Sequence, residues 1–345
     1  MDIQKLEKLL IEKNEKSFRK KQIYKAVFEE AKSSFLDIST ISKDLRVFLD
    51  KNLEILPFSK VRVLTSKDGR AHKAVLKLSD GKLLETVLLS PKEDTWSACI
   101  SSQVGCSLGC AFCATGKCGF VRDLSSDEIV SQVLFWKQYL KQKELGGSFS
   151  NIVYMGMGEP FLNWKNVKDS LNILIDEDLF DFGRRNISVS TSGIVKGMQK
   201  FVDDFPQINL AISLHFANNT KRGEYMPVNR MYDLDQIRIF LKKYFTKSKR
   251  KVFIEYILLK DVNDSEVDIR DLSRFLRSIG SLQLLHVNLI RYNSIEGDFE
   301  SSSEKIVRRF QYGLRKSGIH CTTRKSMGDD IHGACGQLAT DNKKR

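Results

Sequence analysis

Gly105-Cys-Ser-Leu-Gly-Cys-Ala-Phe-Cys113 decides how the rest of the chain is read. Cys106, Cys110 and Cys113 follow the spacing C-x3-C-x2-C inside one short loop. Three thiolates there suit a [4Fe–4S] cluster with one iron left open, because soft thiolates select iron–sulfur centres and a fourth would saturate the cluster. An open iron corner can take a small molecule and pass it an electron. The competing reading is structural zinc, which usually uses C-x2-C pairs and four ligands. Cys118 lies near enough in sequence to be a fourth ligand, so spacing alone leaves zinc open. Against zinc, no second C-x2-C pair follows, and Phe112 has no role in such a site.

Outward from this loop the chain alternates strands with helices. Strand candidates lie at 97–100, 151–155, 186–190, 207–214, 251–257 and 286–290. Helix candidates lie near 126–141, 164–176, 234–246, 265–278 and 302–317. Ser125-Ser-Asp-Glu128 has the composition of a helix start. Repeated β–α units imply a parallel sheet. Six units are fewer than the eight of a closed barrel, so the fold class expected is α/β, a partial (β/α)6 barrel with an open side. Before it, residues 60–90 carry short apolar runs separated by Lys67-Asp-Gly69 and Ser79-Asp-Gly81, the pattern of a short antiparallel β meander. Residues 1–55 read as three short helices with apolar faces at Leu6, Leu9, Leu10 and Ile11, at Ile23, Ala26, Val27 and Phe28, and at Ile41, Leu45, Val47 and Phe48. The organisation expected is a helical accessory domain at 1–55, a small β extension at 56–94, the partial barrel at 95–340 with a cysteine-bearing loop near its end, and a basic tail at 341–345. The helical module is either an RNA grip or a packing appendage.

The 345 residues carry a formal net charge of +13 and seven cysteines. The odd cysteine count is not a disulfide framework, the N-terminal segment is amphipathic and charged, and no apolar run approaches a membrane span. These features point to the cytoplasm, with thiols kept reduced, and to no membrane partner. The positive surplus favours a polyanion, of which nucleic acid is the commonest.

Ligands of parallel α/β sheets bind beyond the carboxyl ends of the strands. The cysteine loop follows the first such strand, and Met155-Gly-Met-Gly-Glu-Pro160 follows the second. There the glycines admit a close backbone approach, and Glu159 offers an acceptor to an amine. Ser190-Thr-Ser-Gly193 ends the third strand, Ser213-Leu-His215 the fourth, and Asn293 follows the sixth. Each alone reads equally well as a turn or a structural side chain; their recurrence at successive strand ends implies a ring of ligand contacts. Cys99 ends the first strand, and Cys335 sits between glycines in a loop near the C-terminus. Read singly, these two are ordinary buried thiols. Cys321 has no assigned role.

Together these motifs resemble the RlmN/Cfr family of radical S-adenosylmethionine (radical SAM) enzymes, which methylate an adenosine of 23S ribosomal RNA. The resemblance rests on C-x3-C-x-aromatic-C, Cys99-Ile-Ser-Ser-Gln103, Met155-Gly-Met-Gly-Glu159, Ser190-Thr-Ser-Gly193, Ser213-Leu-His215, Asn288-Leu-Ile290 and Gly328-Asp-Asp-Ile331 with Ala334-Cys-Gly-Gln-Leu338. It runs from about residue 83 to 340. It implies that Cys106, Cys110 and Cys113 hold a [4Fe–4S] cluster whose open iron takes S-adenosyl-L-methionine. It implies that Gly158, Glu159, Ser190, Ser213, Leu214, His215 and Asn293 contact this cofactor. Cys335 matches the cysteine that becomes S-methylated, Cys99 its resolving partner, and Glu85 a proton acceptor. The implied route uses two cofactor molecules. One methylates the Cys335 thiolate, and the other yields a 5′-deoxyadenosyl radical that takes a hydrogen from the new methyl group. The carbon radical adds to adenine, the C2 proton leaves, and Cys99 attacks Cys335 to release the RNA and form a disulfide.

Pro160, Ser192, Val104 and Arg324-Lys325 look like the branch that methylates C2 and serves both 23S rRNA and tRNA, whereas Arg291 looks like the branch that methylates C8 and confers antibiotic resistance. C2 methylation is the expectation and C8 the alternative. A non-catalytic iron–sulfur or zinc protein that binds RNA is the alternative from another class. The implied partners are 23S rRNA, tRNA and an electron donor of the flavodoxin type, with the enzyme acting as a monomer.

Overall fold

The computed structural model describes residues 1–295 and 299–339; the basic tail expected at 341–345 lies outside them. The N-terminal segment folds into α1 (Ile3–Glu12), α2 (Phe18–Tyr24), which runs on as a π-turn through Glu29, and α3 (Lys43–Asn52). Asp2 and Ser42 cap α1 and α3 by accepting the N–H groups of Lys5 and Leu45. Leu6, Leu9, Leu10, Ile23, Val27, Phe28, Leu45 and Leu49 are buried together, but Ile11 and Val47 face solvent. The module leans on the helix α5 (Ser126–Gln142): Lys137 and Lys141 donate to the Phe28 and Glu30 carbonyls, and the Phe28 and Phe180 rings stand 4.9 Å apart.

Three antiparallel strands, β1 (Phe58–Thr65), β2 (Ala71–Leu78) and β3 (Leu83–Lys92), form the expected meander. They do not stand apart. β3 pairs antiparallel with β4 (Thr95–Cys99), and β4 pairs parallel with β7 (Ser148–Tyr154). From there the sheet runs through β8 (Ile187–Thr191), β9 (Asn209–Ser213), β10 (Val252–Leu258) and β11 (Leu285–Arg291) to β12 (His320–Arg324), all parallel. A separate hairpin, β5 (Gln103–Gly105) with β6 (Phe120–Asp123), flanks the cysteine loop. The parallel run is thus one strand longer than the sequence implies. β12 is short and mostly polar, with Cys321 as its one buried residue, so it lacks the apolar run that marks the inner strands. Among the described residues β12 does not pair with β1, so the barrel stays open.

Helices cover the outside. These are α6 (Trp164–Ile175), α7 (Val195–Asp204), α9 (Leu234–Lys247), α10 (Glu266–Ile279) and α11 (Glu304–Lys316), with two short ones, α4 (Ala114–Lys117) and α8 (Asn219–Tyr225), near the strand ends. Ser125 and Glu128 close a reciprocal capping box at the start of α5, the helix start expected there. Arg122 of β6 makes a bidentate bond to the same Glu128 and a third bond to Asp80, tying the hairpin to the meander. The sequence pattern missed α7, because Gly197 interrupts its apolar face. That glycine is required: an added Cβ would come within 2.4 Å of Phe161.

Candidate active site

The cysteine loop is built by close backbone approach. Gly105 has φ +75°, and a Cβ there would fall 1.9 Å from the Gly119 carbonyl oxygen, so only glycine lets β5 and β6 meet. The Cys106 N–H donates to that same carbonyl (2.9 Å) and the Ala111 N–H to Tyr225 at the end of α8 (3.0 Å). Phe112 is buried, edge-on to the His215 ring at 5.0 Å. It packs the loop onto the end of β9. Burial pushes the Cys106 thiol up to about 12 and raises Cys110 as well; Cys113 adds charge repulsion to both, and Cys106 adds to that on Cys110.

This donor set fits an iron–sulfur cluster better than zinc. A single zinc ion needs its ligand atoms gathered within about 2.3 Å of one point. A cubane instead takes one thiolate at each of three separate irons, and three soft thiolates in one loop supply that set. Cys118, the fourth candidate for zinc, is exposed at the C-cap of α4.

The strand-end residues share one rim. Gly158 has φ +95°, and a Cβ would fall 2.5 Å from Gln103 Cβ. Glu159 is fully buried; its two oxygens accept the N–H groups of Phe161 (3.1 Å) and Ser192 (2.8 Å), and desolvation raises its pKa. The carboxylate thus joins the loops after β7 and β8. Ser190 and Ser213 bring their hydroxyls within 3.3 Å of each other. Leu214 is fully buried, with its N–H donating to Glu255 O and its carbonyl accepting from Arg222. His215 adopts φ +57°, and its Nδ1 accepts the Ile257 N–H (3.1 Å). Burial, with help from Arg222, lowers its pKa to about 3. The imidazole is therefore neutral, with its proton on Nε2.

The loop bearing Cys335 closes over this rim. Asn293 Nδ2 donates to the Cys335 carbonyl (3.1 Å), the Ala114 N–H to Gly336 (2.8 Å) and Thr115 Oγ1 to Leu338 (2.5 Å), so the loop rests on the helix after Cys113. Cys335 is reached by solvent, yet its sulfur lies deep among protein atoms, which raises its pKa; Arg324 opposes the rise, while Glu255 and Cys113 add to it. Cys99 is pushed up to about 12 by burial, then by Cys335, again opposed by Arg324. Cys335, distant in sequence, thus raises the Cys99 pKa, and the two thiols share one cation. Glu85 lies under the same loop: its Oε2 accepts the Ala339 N–H (3.0 Å), Lys73 Nζ stands 3.3 Å from Oε1, and desolvation raises its pKa.

Three further groups escaped the sequence reading. Arg222 is fully buried and donates to the carbonyls of Leu214, Ser192 and Tyr232 and to Asn229 Oδ1, lacing together the ends of β8 and β9; burial lowers its pKa to about 10. Glu255, buried on β10, accepts from Asn288 (2.8 Å) and holds Arg324 at 3.5 Å. Lys73 is buried beside Glu85. Of the three only Glu255 leaves a signal, a charged residue inside an otherwise apolar run at Ile254-Glu-Tyr256. No helix among the described residues is long and apolar enough to cross a membrane, and none of the seven cysteines is in a disulfide.

Residues 100–272 match the radical SAM superfamily, and residues 1–55 match the ribosomal RNA large subunit methyltransferase N-terminal domain. A protein of Enterococcus faecalis named a probable dual-specificity RNA methyltransferase RlmN is 38% identical over 333 residues, covering 96% of this chain and 92% of its own. A ribosomal RNA large subunit methyltransferase N of Nitrosopumilus maritimus is 38% identical over 345 residues, covering 98% and 97%. The crystal structure of a radical SAM methyltransferase from Sphaerobacter thermophilus superposes with a TM-score of 0.91 at 36% identity, covering 98% of this chain and 97% of that one. The partial α/β barrel, the thiol-lined rim and these likenesses over nearly the whole length agree: the chain belongs to the RlmN family of radical SAM RNA methyltransferases.

Proposed function

We propose that this enzyme methylates carbon 2 of an adenosine in 23S rRNA and of an adenosine in tRNA, with Cys335 carrying the methyl group. One observation supports this reading above the rest: the charge of Cys335 reaches Cys99, and both thiols feel Arg324, beside the loop that holds Cys113. A simple RNA-binding module has no use for such a pair.

In this reading Cys106, Cys110 and Cys113 hold the [4Fe–4S] cluster, and Gly158, Glu159, Ser190, Ser213, Leu214, His215 and Asn293 line the S-adenosylmethionine site. When bound, cluster and cofactor supply the methyl group and the one-electron chemistry that an adenine carbon requires. The chain supplies the rest. Cys335 attacks as a thiolate, and burial works against that state. Arg324, anchored by Glu255, is the cation that favours it in both Cys335 and Cys99. Glu85 accepts the C2 proton. Cys99 then attacks the Cys335 sulfur, which leaves the RNA carbon, and the two sulfurs close a disulfide. The domain division is part of the proposal: residues 1–55 grip RNA phosphates, 56–94 form the β extension, 95–340 the barrel and 341–345 the tail. An external one-electron donor, a monomeric enzyme and a reducing cytoplasm complete it.

The test is mass spectrometry of 23S rRNA and tRNA from cells with and without the gene. Gene-dependent 2-methyladenosine in both RNAs is the expected result. Gene-dependent 8-methyladenosine assigns the other branch, and no gene-dependent methyl group overturns the reading.

A further inference from the structure

Lys73 and Glu85 sit on adjacent antiparallel strands, in the register Lys73↔Val87 and Val75↔Glu85. They are therefore diagonal neighbours on one face of the sheet. Both side chains are almost fully buried, at 7% and 5% exposure. What buries them is the Cys335 loop. Lys73 Nζ donates to the His332 carbonyl (3.1 Å), three residues before Cys335, while Glu85 Oε2 accepts the Ala339 N–H (3.0 Å), four residues after it. The ion pair spans the two grips at 3.3 Å. Two residues from the N-terminal quarter thus hold both flanks of a loop from the C-terminus. A pair that served only stability would not bond on both sides to the segment carrying a reactive thiol.

We infer that Lys73 is a positioning residue that, through Glu85, latches the Cys335 loop closed and lets it go once Glu85 has taken its proton. This rests on the proposed role of Glu85. With Glu85 ionised, the carboxylate holds Lys73 and the Ala339 N–H, and Lys73 holds His332. The loop therefore stays fixed while the base lies against Cys335. When Glu85 takes the proton from the adenine carbon, the electron pair of the broken C–H bond stays with the ring and the carboxylate becomes a neutral carboxyl. Its attraction for both partners drops. The latch loosens at the stage when the Cys335 sulfur has to turn from the base toward Cys99. The charged groups acting on Glu85 are Lys73 on β2 and Arg62 on β1. Arg62 is mostly exposed and reaches neither flank of the loop through a hydrogen bond among those the structure shows, so the latch is Lys73.

The experiment uses the full-length, cluster-loaded protein and its variants Lys73→Met, Lys73→Gln, Lys73→Arg and Glu85→Gln. Three quantities are read: amide hydrogen exchange across residues 328–339, S-methylation of Cys335 by mass spectrometry, and kcat and KM on a 23S rRNA fragment. Lys73→Met and Glu85→Gln are expected to speed exchange of the loop about tenfold or more, with the barrel helices unchanged. In Lys73→Met the S-methyl group on Cys335 should persist, and kcat should fall on the order of a hundredfold with KM for RNA unchanged. Lys73→Gln keeps a donor for His332 without the charge, so it should hold the loop better than Lys73→Met while remaining slow. Lys73→Arg should recover most of both. If Lys73→Met fails to fold, the Gln and Arg variants carry the same comparison. Wild-type loop exchange and wild-type kcat in the Lys73 variants would overturn the inference. Normal turnover in Glu85→Gln would instead overturn the base assignment, and the exchange data would still judge the latch separately.

Discussion

In the parallel half of the sheet, from β7 to β12, charged groups near the site are bonded to main chain and side chains of neighbouring strands. Arg222 joins the ends of β8 and β9, Glu159 joins the loops after β7 and β8, and Glu255 bonds β11 and β12 side chains. In the antiparallel half, Lys73 and Glu85 point from mid-strand into a loop from the far end of the chain. The first half is a frame whose charges are fixed by the fold. The second is a wall whose charges hold something able to move. The difference teaches that burial of a charge does not by itself reveal its purpose; what the charge is bonded to does.

The most severe test removes the reactive sulfur. Cys335→Ala should abolish RNA methylation while leaving the cluster's visible absorption intact. Stability should stay within about 0.5 kcal/mol, as for most accessible side chains. Loss of the cluster in this variant would mean that the loop belongs to the frame, and the contrast would fail.

Arg222→Met should do the reverse and damage the frame. It strips donors from one buried carbonyl, two half-buried ones and a buried amide. The cost expected is about 3–5 kcal/mol, a fall in Tm of about 4–7 °C for a chain of this size. Calorimetry with iron analysis checks it. An unchanged Tm would show that the buried guanidinium is not structural and belongs to the chemistry instead.

How legible each half is follows from the same contrast. The strand-end motifs could be read because parallel strands must end in loops, and loops that approach a ligand need Gly, Ser or a polar turn at set places, as at Met155-Gly-Met-Gly-Glu159 and Ser190-Thr-Ser-Gly193. The six inner strands showed as apolar runs for the same reason. Lys73 gave no signal: in Ala71-His-Lys-Ala-Val-Leu76 it looks like the outward half of an alternating strand. Only the return of a segment more than 250 residues later buries it, as in the contact between Lys73 and His332, and no local pattern encodes that. β12 is absent from the strand candidates for a related reason, since an exposed and mostly polar edge strand lacks the apolar run of its neighbours. Arg222 was hidden because a buried arginine in a short polar helix resembles a surface one.

His215 gives a smaller effect, set by pH. Its folded pKa, lowered to about 3 by burial, lies below the unfolded value of about 6.5. Between these values the unfolded chain binds the extra proton. The stability contributed by the neutral ring is therefore complete above about pH 6.5 and is lost as pH falls toward 3, at up to about 1.4 kcal/mol per unit. His215→Asn suits the positive φ and still offers an acceptor to Ile257. Denaturant melts of both proteins at a series of pH values should show the wild-type curve falling more steeply through this window. Parallel curves would mean that the ring is already protonated in the fold and that the frame does not fix its state.

The smallest effect separates a tether from a latch. Asp330 Oδ2 accepts the Lys67 N–H at 2.8 Å, a third link between the meander and the Cys335 loop, but this bond is exposed. Water competes for both partners, so its net worth is about 0.5–1.5 kcal/mol. That converts to loop opening about 2–10-fold more frequent in Asp330→Ala, with Tm unchanged. Lys73 holds the same loop from inside, where its loss strands a buried carboxylate and a carbonyl together, so Lys73→Met should open the loop more often than Asp330→Ala does. Hydrogen exchange of residues 328–339 in the two variants ranks them directly. If the exposed tether proves as strong as the buried pair, burial adds nothing to the grip, and the antiparallel wall is only another part of the frame.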